Sequence, residues 1–229
     1  MDSWNGIVSL FIACIELLLL INLLSFTEKN RFNITVIIIV ALLFSYQFME
    51  FLICMMGFDE SLFVYSAFII ISYLPPLGVI LAASLNKVKS KFLYLLFLPP
   101  LFFTIYYSII IDEFIHKGCT VLYASYHYPL GDLYGAFYYL PIIVTIIWLV
   151  STIKKTDTPK IKTISSVILF GYIFTAIPVI IAFVLMAYNN YGLLSIIESI
   201  MCKFALVLAL CLSFAAVYNS RKKNERNNT

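Results

Sequence analysis

The chain has 229 residues, of which 62% are hydrophobic and 12% charged, and its mean hydropathy is +0.99. Soluble domains are nearer half apolar and a quarter charged, so this composition excludes a soluble globular enzyme, a disordered chain and a small disulfide-stapled scaffold. The net charge of +3 does not indicate a nucleic-acid partner.

Long apolar runs predict seven transmembrane helices, because each run is close to the roughly 20 residues that a bilayer requires. The runs are continuous and do not alternate, which favours helices over barrel strands. We therefore expect an all-α membrane bundle, a single domain over 1–218 with a basic tail at 219–229, whose sequential helices pack as antiparallel neighbours. The predicted spans are 4–26, 33–57, 62–85, 92–112, 135–153, 163–188 and 193–218.

The basic residues predict the orientation in the cell membrane. All but two of the fifteen Lys and Arg residues fall on one side of the seven spans, the exceptions being Lys117 and Lys203. An excess of Lys and Arg marks the cytoplasmic face, so we expect the N-terminus outside and the C-terminus inside. The residues on the basic side are Lys29, Arg31, Lys87, Lys89, Lys91, Lys154, Lys155, Lys160, Lys162, Arg221, Lys222, Lys223 and Arg226.

The loop over 113–134 is the only connection long enough to have structure of its own. Glu113, His116 and Cys119 are its candidate metal ligands, but no pair among them has an established zinc spacing, so the sequence predicts no metal site. Cys119 also lies on the same side as Cys54 near the end of the second span. A bridge between these two cysteines and two free thiols are both open, because no spacing pattern decides between them.

Four ionisable residues lie within the spans: Glu16, Glu50, Glu198 and Lys203. Such groups are expensive when they face lipid, so they usually face the bundle interior and indicate function. At about 1.5 Å of rise per residue, all four lie between the outer surface and the midplane. Gln47 shares a helix face with Glu50 three residues later. These five residues predict a polar pocket open to the outside.

Lys203 requires a carboxylate from another helix. Glu198 is five residues away, about 140° around the helix, so it is badly placed to pair with Lys203. Glu16 and Glu50 are the two remaining candidates. The alternative to a pocket is that the same polar groups only tie the helices together by hydrogen bonds.

Prolines predict interruptions in four of the helices. The sequence Leu-Pro-Pro-Leu occurs at 74–77 and again at 98–101, and single prolines follow at Pro141 and Pro178. Each proline removes a backbone hydrogen bond and leaves a carbonyl without its helical partner. Broken helices of this kind line binding sites in some transporters.

The chain resembles a family of prokaryotic seven-helix membrane proteins that has no assigned activity. The resemblance rests on the apolar run Leu42–Glu50, which ends in Gln-x-x-Glu, on the proline-bearing third helix and on the Ser-x-x-Cys stretch at 199–202. It implies a seven-helix fold and no particular function. A lysine in the seventh helix is also similar to the retinal-binding lysine of microbial rhodopsins. However, Ser199 stands where those proteins have an aspartate, and the third span has no acidic residue.

The sequence favours a protein that binds or senses a small ligand and has no enzymatic chemistry. Gln47 and Glu50 would orient the ligand, Glu16 and Lys203 would form a charged floor, and Glu198 would line the mouth. The alternative is a small-solute or proton-coupled transporter that uses the same carboxylates. Nothing in the sequence identifies a cofactor, and an enzyme acting on lipid lacks a nucleophile–base pair. The expected partners are the bilayer and a small molecule.

Overall fold

A computed structural model describes residues 4–58, 60–88, 90–113, 115–122, 124–127, 129–187 and 197–227. Over these residues the chain is mostly helical, with one small hairpin of two strands. The α-helices are α1 (Ile7–Phe26), α2 (Arg31–Cys54), α3 (Ser61–Ser72), α4 (Leu74–Leu85), α5 (Leu98–Ile109), α6 (Gly131–Lys155), α7 (Pro159–Ala187) and α8 (Ile197–Asn227). Two 3-10 helices cover Lys91–Phe97 and Ile111–Glu113, and the strands are β1 (Ile115–Cys119) and β2 (Ala124–His127).

Within the described residues, seven helical segments are long and apolar enough to cross a membrane. The third consists of α3 and α4, joined at Tyr73, and the fourth consists of the 3-10 helix Lys91–Phe97 followed by α5. The other five are formed by α1, α2, α6, α7 and α8. The predicted helical bundle with seven spans is thereby confirmed at the level of length and composition, and its orientation stays a prediction.

The paired prolines mark the starts of helices. Each Leu-Pro-Pro-Leu motif occupies the first turn of an α-helix, α4 in one case and α5 in the other. Proline is tolerated there because the first N–H groups of a helix have no intrahelical partner. The predicted interruptions are confirmed at these two motifs. Pro141 and Pro178 instead lie within the continuous helices α6 and α7.

Several helix ends differ from the predicted boundaries, and two of the differences have a clear physical reason. α2 begins at Arg31, because the Asn30 side chain accepts a hydrogen bond from the Asn33 amide at 2.9 Å and so caps the helix. The last helix does not end at Tyr218 but continues to Asn227. Lys, Arg and Glu in this tail are good helix formers, which favours the extension.

α2, α4, α6, α7 and α8 form a closed ring of helix contacts, and α1 packs against α2 and α8. Each of the pairs α1–α2, α2–α4, α4–α6, α6–α7 and α7–α8 is in contact, and α8 also contacts α1 and α2. β1 and β2 pair antiparallel, with Ile115 opposite His127. We call the end of the bundle that carries this hairpin and the start of α1 the hairpin end. The opposite end, which carries the loops rich in Lys and Arg, is the basic end.

Candidate functional site

Polar side chains from three helices meet inside the bundle, towards the hairpin end. We call these five residues the charged cluster. α2 supplies Gln47 and Glu50, three residues apart, and α8 supplies Ser199 and Lys203, four residues apart, so each pair lies on one face of its helix. The fifth member, Ser9, comes from α1.

The Lys203 ammonium is saturated with hydrogen-bond acceptors. Its Nζ lies 2.8 Å from Ser9 Oγ, 2.9 Å from Gln47 Oε1 and 2.6 Å from Glu50 Oε1. An ammonium group has three N–H donors, so each donor meets one acceptor. The sequence left Glu16 and Glu50 open as the carboxylate partner, and the structure selects Glu50.

One of the two carboxylate oxygens of Glu50 also has three hydrogen-bond partners. Oε1 accepts hydrogen bonds from Lys203, from Ser9 Oγ at 3.2 Å and from Ser199 Oγ at 3.0 Å. The second oxygen, Oε2, is buried and has no hydrogen-bond partner among the described residues. Ser9 therefore accepts from Lys203 while donating to Glu50, and the network has a consistent direction of donation.

The charged cluster is almost entirely buried. The side chains of Lys203 and Glu50 are 11% and 1% exposed, and Gln47, Ser9 and Ser199 are fully buried. Breaking a buried pair is costly because it leaves an uncompensated charge in a medium of low dielectric constant. The network thus ties α1, α2 and α8 together by hydrogen bonds. This is the role that the sequence analysis gave as the alternative to a pocket.

The hairpin covers this cluster. The Ala124 amide of β2 donates to Ser199 Oγ at 3.1 Å. A disulfide joins Cys119 in β1 to Cys54 at the end of α2, with their Cα atoms 5.5 Å apart. On the side of α1, Asn5 Nδ2 donates to the Cys119 carbonyl at 3.1 Å. The hairpin is therefore anchored to α1, α2 and α8, the same three helices that form the cluster.

The sequence left open whether Cys54 and Cys119 form a bridge or are two free thiols, and the structure has the bridge. Cys119 is not a free thiol, so its sulfur is not a thiolate ligand for a metal ion. Glu113 is exposed in a short 3-10 helix, and His116 lies in β1 with its side chain outside the described residues. No group of three or more metal-binding side chains occurs in the described part of the chain.

Of the remaining two predicted pocket residues, Glu16 makes no hydrogen bond to the network, and the side chain of Glu198 is outside the described residues. Glu16 is fully buried in α1, and neither of its carboxylate oxygens has a hydrogen-bond partner within the described residues. Glu198 belongs to α8, but its side chain lies outside the part of the chain that is described. The structure therefore brings together Gln47, Glu50 and Lys203 from the predicted set of five.

Sequence reasoning missed Ser9 as a member of the cluster. Ser9 precedes Glu16 by seven residues, which is close to two helical turns, so the two residues share a face of α1. That spacing was the available signal, but serine is common in membrane helices and carries no charge. Ser199 had a clearer signal, since it lies one turn before Lys203.

An apolar cavity of about 280 Å³ lies beside the charged cluster. It is bounded by α2, α4, α6, α7 and α8. Met201 and Cys202, which lie between Ser199 and Lys203 in the sequence of α8, line it. The Cys202 carbonyl, on the wall of the cavity, accepts a hydrogen bond from Gln47 Nε2 at 2.9 Å. Neither Glu50 nor Lys203 lines this cavity. The space next to the predicted polar pocket is thus hydrophobic.

The cavity reaches the outer surface of the bundle between α6 and α7. Ile143 of α6 and Ile180 of α7 both line it, and they are 52% and 57% exposed on the face that would meet lipid. Hydroxyl groups supply the only hydrogen-bonding side chains of the lining: those of Tyr138, Tyr139, Tyr172 and Thr175. The cavity therefore suits an uncharged molecule arriving from the membrane.

A glycine in α4 makes room for Tyr172, which lines the cavity. A Cβ atom at Gly78 would overlap the Tyr172 hydroxyl and would lie 3.2 Å from Thr145 Oγ1. Gly78 therefore lets Tyr172 of α7 approach the backbone of α4 closely.

No family model, curated protein or solved structure matches this chain. The resemblance to the prokaryotic seven-helix family therefore stays a prediction. No matching protein tests the retinal interpretation. Lys203 Nζ has polar neighbours, and the residue does not line the apolar cavity. A retinal Schiff base would require the lysine to line the apolar cavity that holds the polyene chain.

Proposed function

We propose that this chain is a multi-pass membrane protein that binds a small, mainly apolar ligand in the cavity between α4, α6, α7 and α8. The observation that carries the proposal is the cavity itself, whose volume of about 280 Å³ lies just below the usual range for ligand pockets of about 300–1,000 Å³. Binding of a small ligand remains the function, as the sequence predicts. Its place moves from the charged cluster to the neighbouring apolar space.

The saturation of Lys203 is the reason for this change of place. All three N–H donors of the ammonium are engaged with Ser9, Gln47 and Glu50. A polar ligand would have to displace one of these contacts and leave a buried charged group short of a partner, which is unfavourable. The cavity imposes no such cost on an apolar ligand.

The charged cluster has a supporting role in this proposal. It fixes α2 and α8, which form one wall of the cavity, and connects that wall through Ser199 and Ala124 to the hairpin. We further propose that the hairpin end faces the outside. Two independent features support this orientation: the basic residues lie at the other end, and the Cys54–Cys119 disulfide belongs in an oxidising compartment.

Native mass spectrometry of the protein purified from its own membranes tests the ligand proposal. We expect a bound mass above that of the bare chain, which the variant Ala205→Leu removes, because Ala205 is buried in the cavity wall and a leucine would fill the space. Ala136→Leu on the exposed face of α6 is the matched control and should retain the bound mass. Equal retention in all three proteins would contradict the proposal.

A proton-coupled carrier is the second candidate, and one observation favours it. Glu16 is fully buried with no hydrogen-bond partner for either carboxylate oxygen among the described residues, and such carboxyl groups mark proton paths in membrane proteins. In proteoliposomes with an imposed proton gradient, a carrier would show proton flux that Glu16→Gln abolishes. Absence of flux with the ligand still bound would leave ligand binding as the function.

A further inference from the structure

A second cavity, of about 410 Å³, lies at the basic end of the bundle. It is bounded by the start of α2, the end of α4, the start of α7 and the last part of α8. Its volume is within the usual range for ligand pockets. The cavity is remote from the hairpin and shares no lining residue with the apolar cavity described above.

The charged lining of this cavity is entirely basic. Arg31, Lys87 and Lys160 line it, together with Asn30 and Asn219, and no acidic residue does so. In the described part of the chain, the side chains of Arg31 and Lys87 have neither a hydrogen bond nor an ion pair. Lys160 donates a hydrogen bond to the Asn219 carbonyl at 2.6 Å, which holds its ammonium at the cavity wall.

Two helices also direct their N-termini to this cavity. α2 begins at Arg31 and α7 begins at Pro159, next to Lys160, and the lining includes the first turn of each. The N-terminus of a helix carries a partial positive charge and N–H groups that bind anions. The helix ends therefore add to the field of the three basic side chains.

The backbone at Lys87 is unusual for a lysine. Its φ is 56°, in the left-handed region, where it follows the end of α4. The amides of Lys87 and Val88 donate to the carbonyls of Ser84 at 3.2 Å and Ala83 at 3.0 Å, a helix ending that normally has glycine at this place. A lysine here is less favourable for the backbone, and it places an ammonium group at the cavity.

The apolar part of the lining indicates where the ligand comes from. Phe32, Leu85 and Ile164 also line the cavity, in helices that are long and apolar enough to cross a membrane. Phe32 and Ile164 are buried and Leu85 is half-buried, whereas Arg31 and Lys87 are exposed. An apolar surface does not stabilise an anion that comes from water. A lipid, by contrast, carries a charged headgroup and hydrocarbon chains in one molecule. Basic pockets between helices at a membrane surface suit anionic lipid headgroups.

We propose that this cavity binds a phosphate group, supplied by the headgroup of an anionic phospholipid in the leaflet at the basic end. Arg31 and Lys87 contact the phosphate oxygens. Lys160 and the N-termini of α2 and α7 stabilise the negative charge from the wall of the cavity. The lipid's glycerol and upper chain segments pack on Phe32 and Leu85. This site is independent of the ligand cavity proposed above.

Native mass spectrometry in detergent tests the proposal with phosphatidylglycerol and phosphatidylcholine of the same chain length. The double variant Arg31→Gln/Lys87→Gln should bind phosphatidylglycerol more weakly by about fivefold for each charge removed, with little change for phosphatidylcholine. Lys29→Gln/Lys91→Gln is the matched control, because both lysines are exposed at the same end but do not line the cavity. An equal loss in both double variants would overturn the site in favour of a general surface charge effect.

A third variant separates ligand binding from folding. Lys87→Gly relieves the left-handed backbone and should raise the melting temperature, while weakening phosphatidylglycerol binding. Unchanged binding in this variant would contradict the role of Lys87. Inorganic phosphate is the second probe: displacement of the lipid by inorganic phosphate at equal concentration would overturn the assignment to a lipid and give the site to the free anion.

Discussion

Lys203 shows how a single ammonium group is accommodated inside an apolar helix. Its Nζ meets a carboxylate, an amide oxygen and a hydroxyl, which come from two other helices. The carboxylate neutralises its charge, and the two neutral acceptors complete its hydrogen bonding. Because the acceptors come from α1 and α2, only one packing of these helices against α8 satisfies the lysine. The residue therefore contributes to the specificity of helix packing as well as to stability.

Removal of the ammonium should destabilise the protein more than removal of the whole pair. We expect Lys203→Met to lower the free energy of unfolding by about 3–5 kcal/mol, because Glu50 is then buried without its counter-charge. In Glu50→Gln/Lys203→Met no charge remains, so part of the loss should be recovered. Unfolding of the purified protein by SDS in mixed micelles measures both variants. A loss in the double variant as large as that in Lys203→Met alone, or larger, would contradict the pairing.

At the scale of helices, α7 and α8 approach each other closely at Gly171. A Cβ atom there would lie 3.0 Å from Leu208 Cδ1, 3.1 Å from Leu208 Cα and 3.2 Å from Cys211 Cβ. The second of these is a backbone atom, which moves only if the whole helix moves. Small residues at such crossings let helix backbones approach closely inside a membrane, where packing replaces the hydrophobic effect between helices.

Gly171 and Gly135 should therefore respond in opposite ways to the same substitution. Gly135 lies in α6 with only ordinary contacts to the Tyr139 ring at 3.7 Å. Gly135→Ala should gain up to about 1 kcal/mol from the better helix propensity of alanine. Gly171→Ala should instead lose about 1–3 kcal/mol, because the added methyl group forces α7 and α8 apart. Melting temperatures in detergent compare the two, and equal shifts would show that the α7–α8 contact yields without cost.

At the scale of the whole molecule, the sequence predicted the number of spans because hydrocarbon thickness fixes how many apolar residues a helix needs. It also placed Gln47, Glu50 and Lys203 on compatible faces, since charge in a membrane helix seeks the bundle interior. The sequence could not predict that Glu50, and not Glu16, pairs with Lys203. The rotation and crossing of the helices, which decide this, depend on contacts between distant segments. Neither cavity was predictable either, since Ala205 and Ile143 look like any other apolar residues in a span.

The orientation of the molecule rests on two features of different physical origin. Basic loops stay on the side from which helices insert, whereas the Cys54–Cys119 disulfide requires an oxidising environment at the opposite end. Both favour the proposed orientation with the hairpin outside the cell, and a chain of reversed orientation would violate both at once. The agreement matters for the proposed lipid site, because in the proposed orientation the basic cavity lies in the cytoplasmic leaflet, where anionic lipids attract Lys and Arg.

Labelling with a membrane-impermeant maleimide tests this orientation directly. In a background with Cys14, Cys202 and Cys211 replaced by serine, the disulfide leaves Cys54 and Cys119 unreactive. Val121→Cys in the exposed turn of the hairpin should react in intact cells, whereas Thr158→Cys between α6 and α7 should react only after lysis. The reverse pattern would place the basic end outside. It would also leave the disulfide in a reducing compartment, where a bond that anchors the hairpin over the charged cluster would not persist.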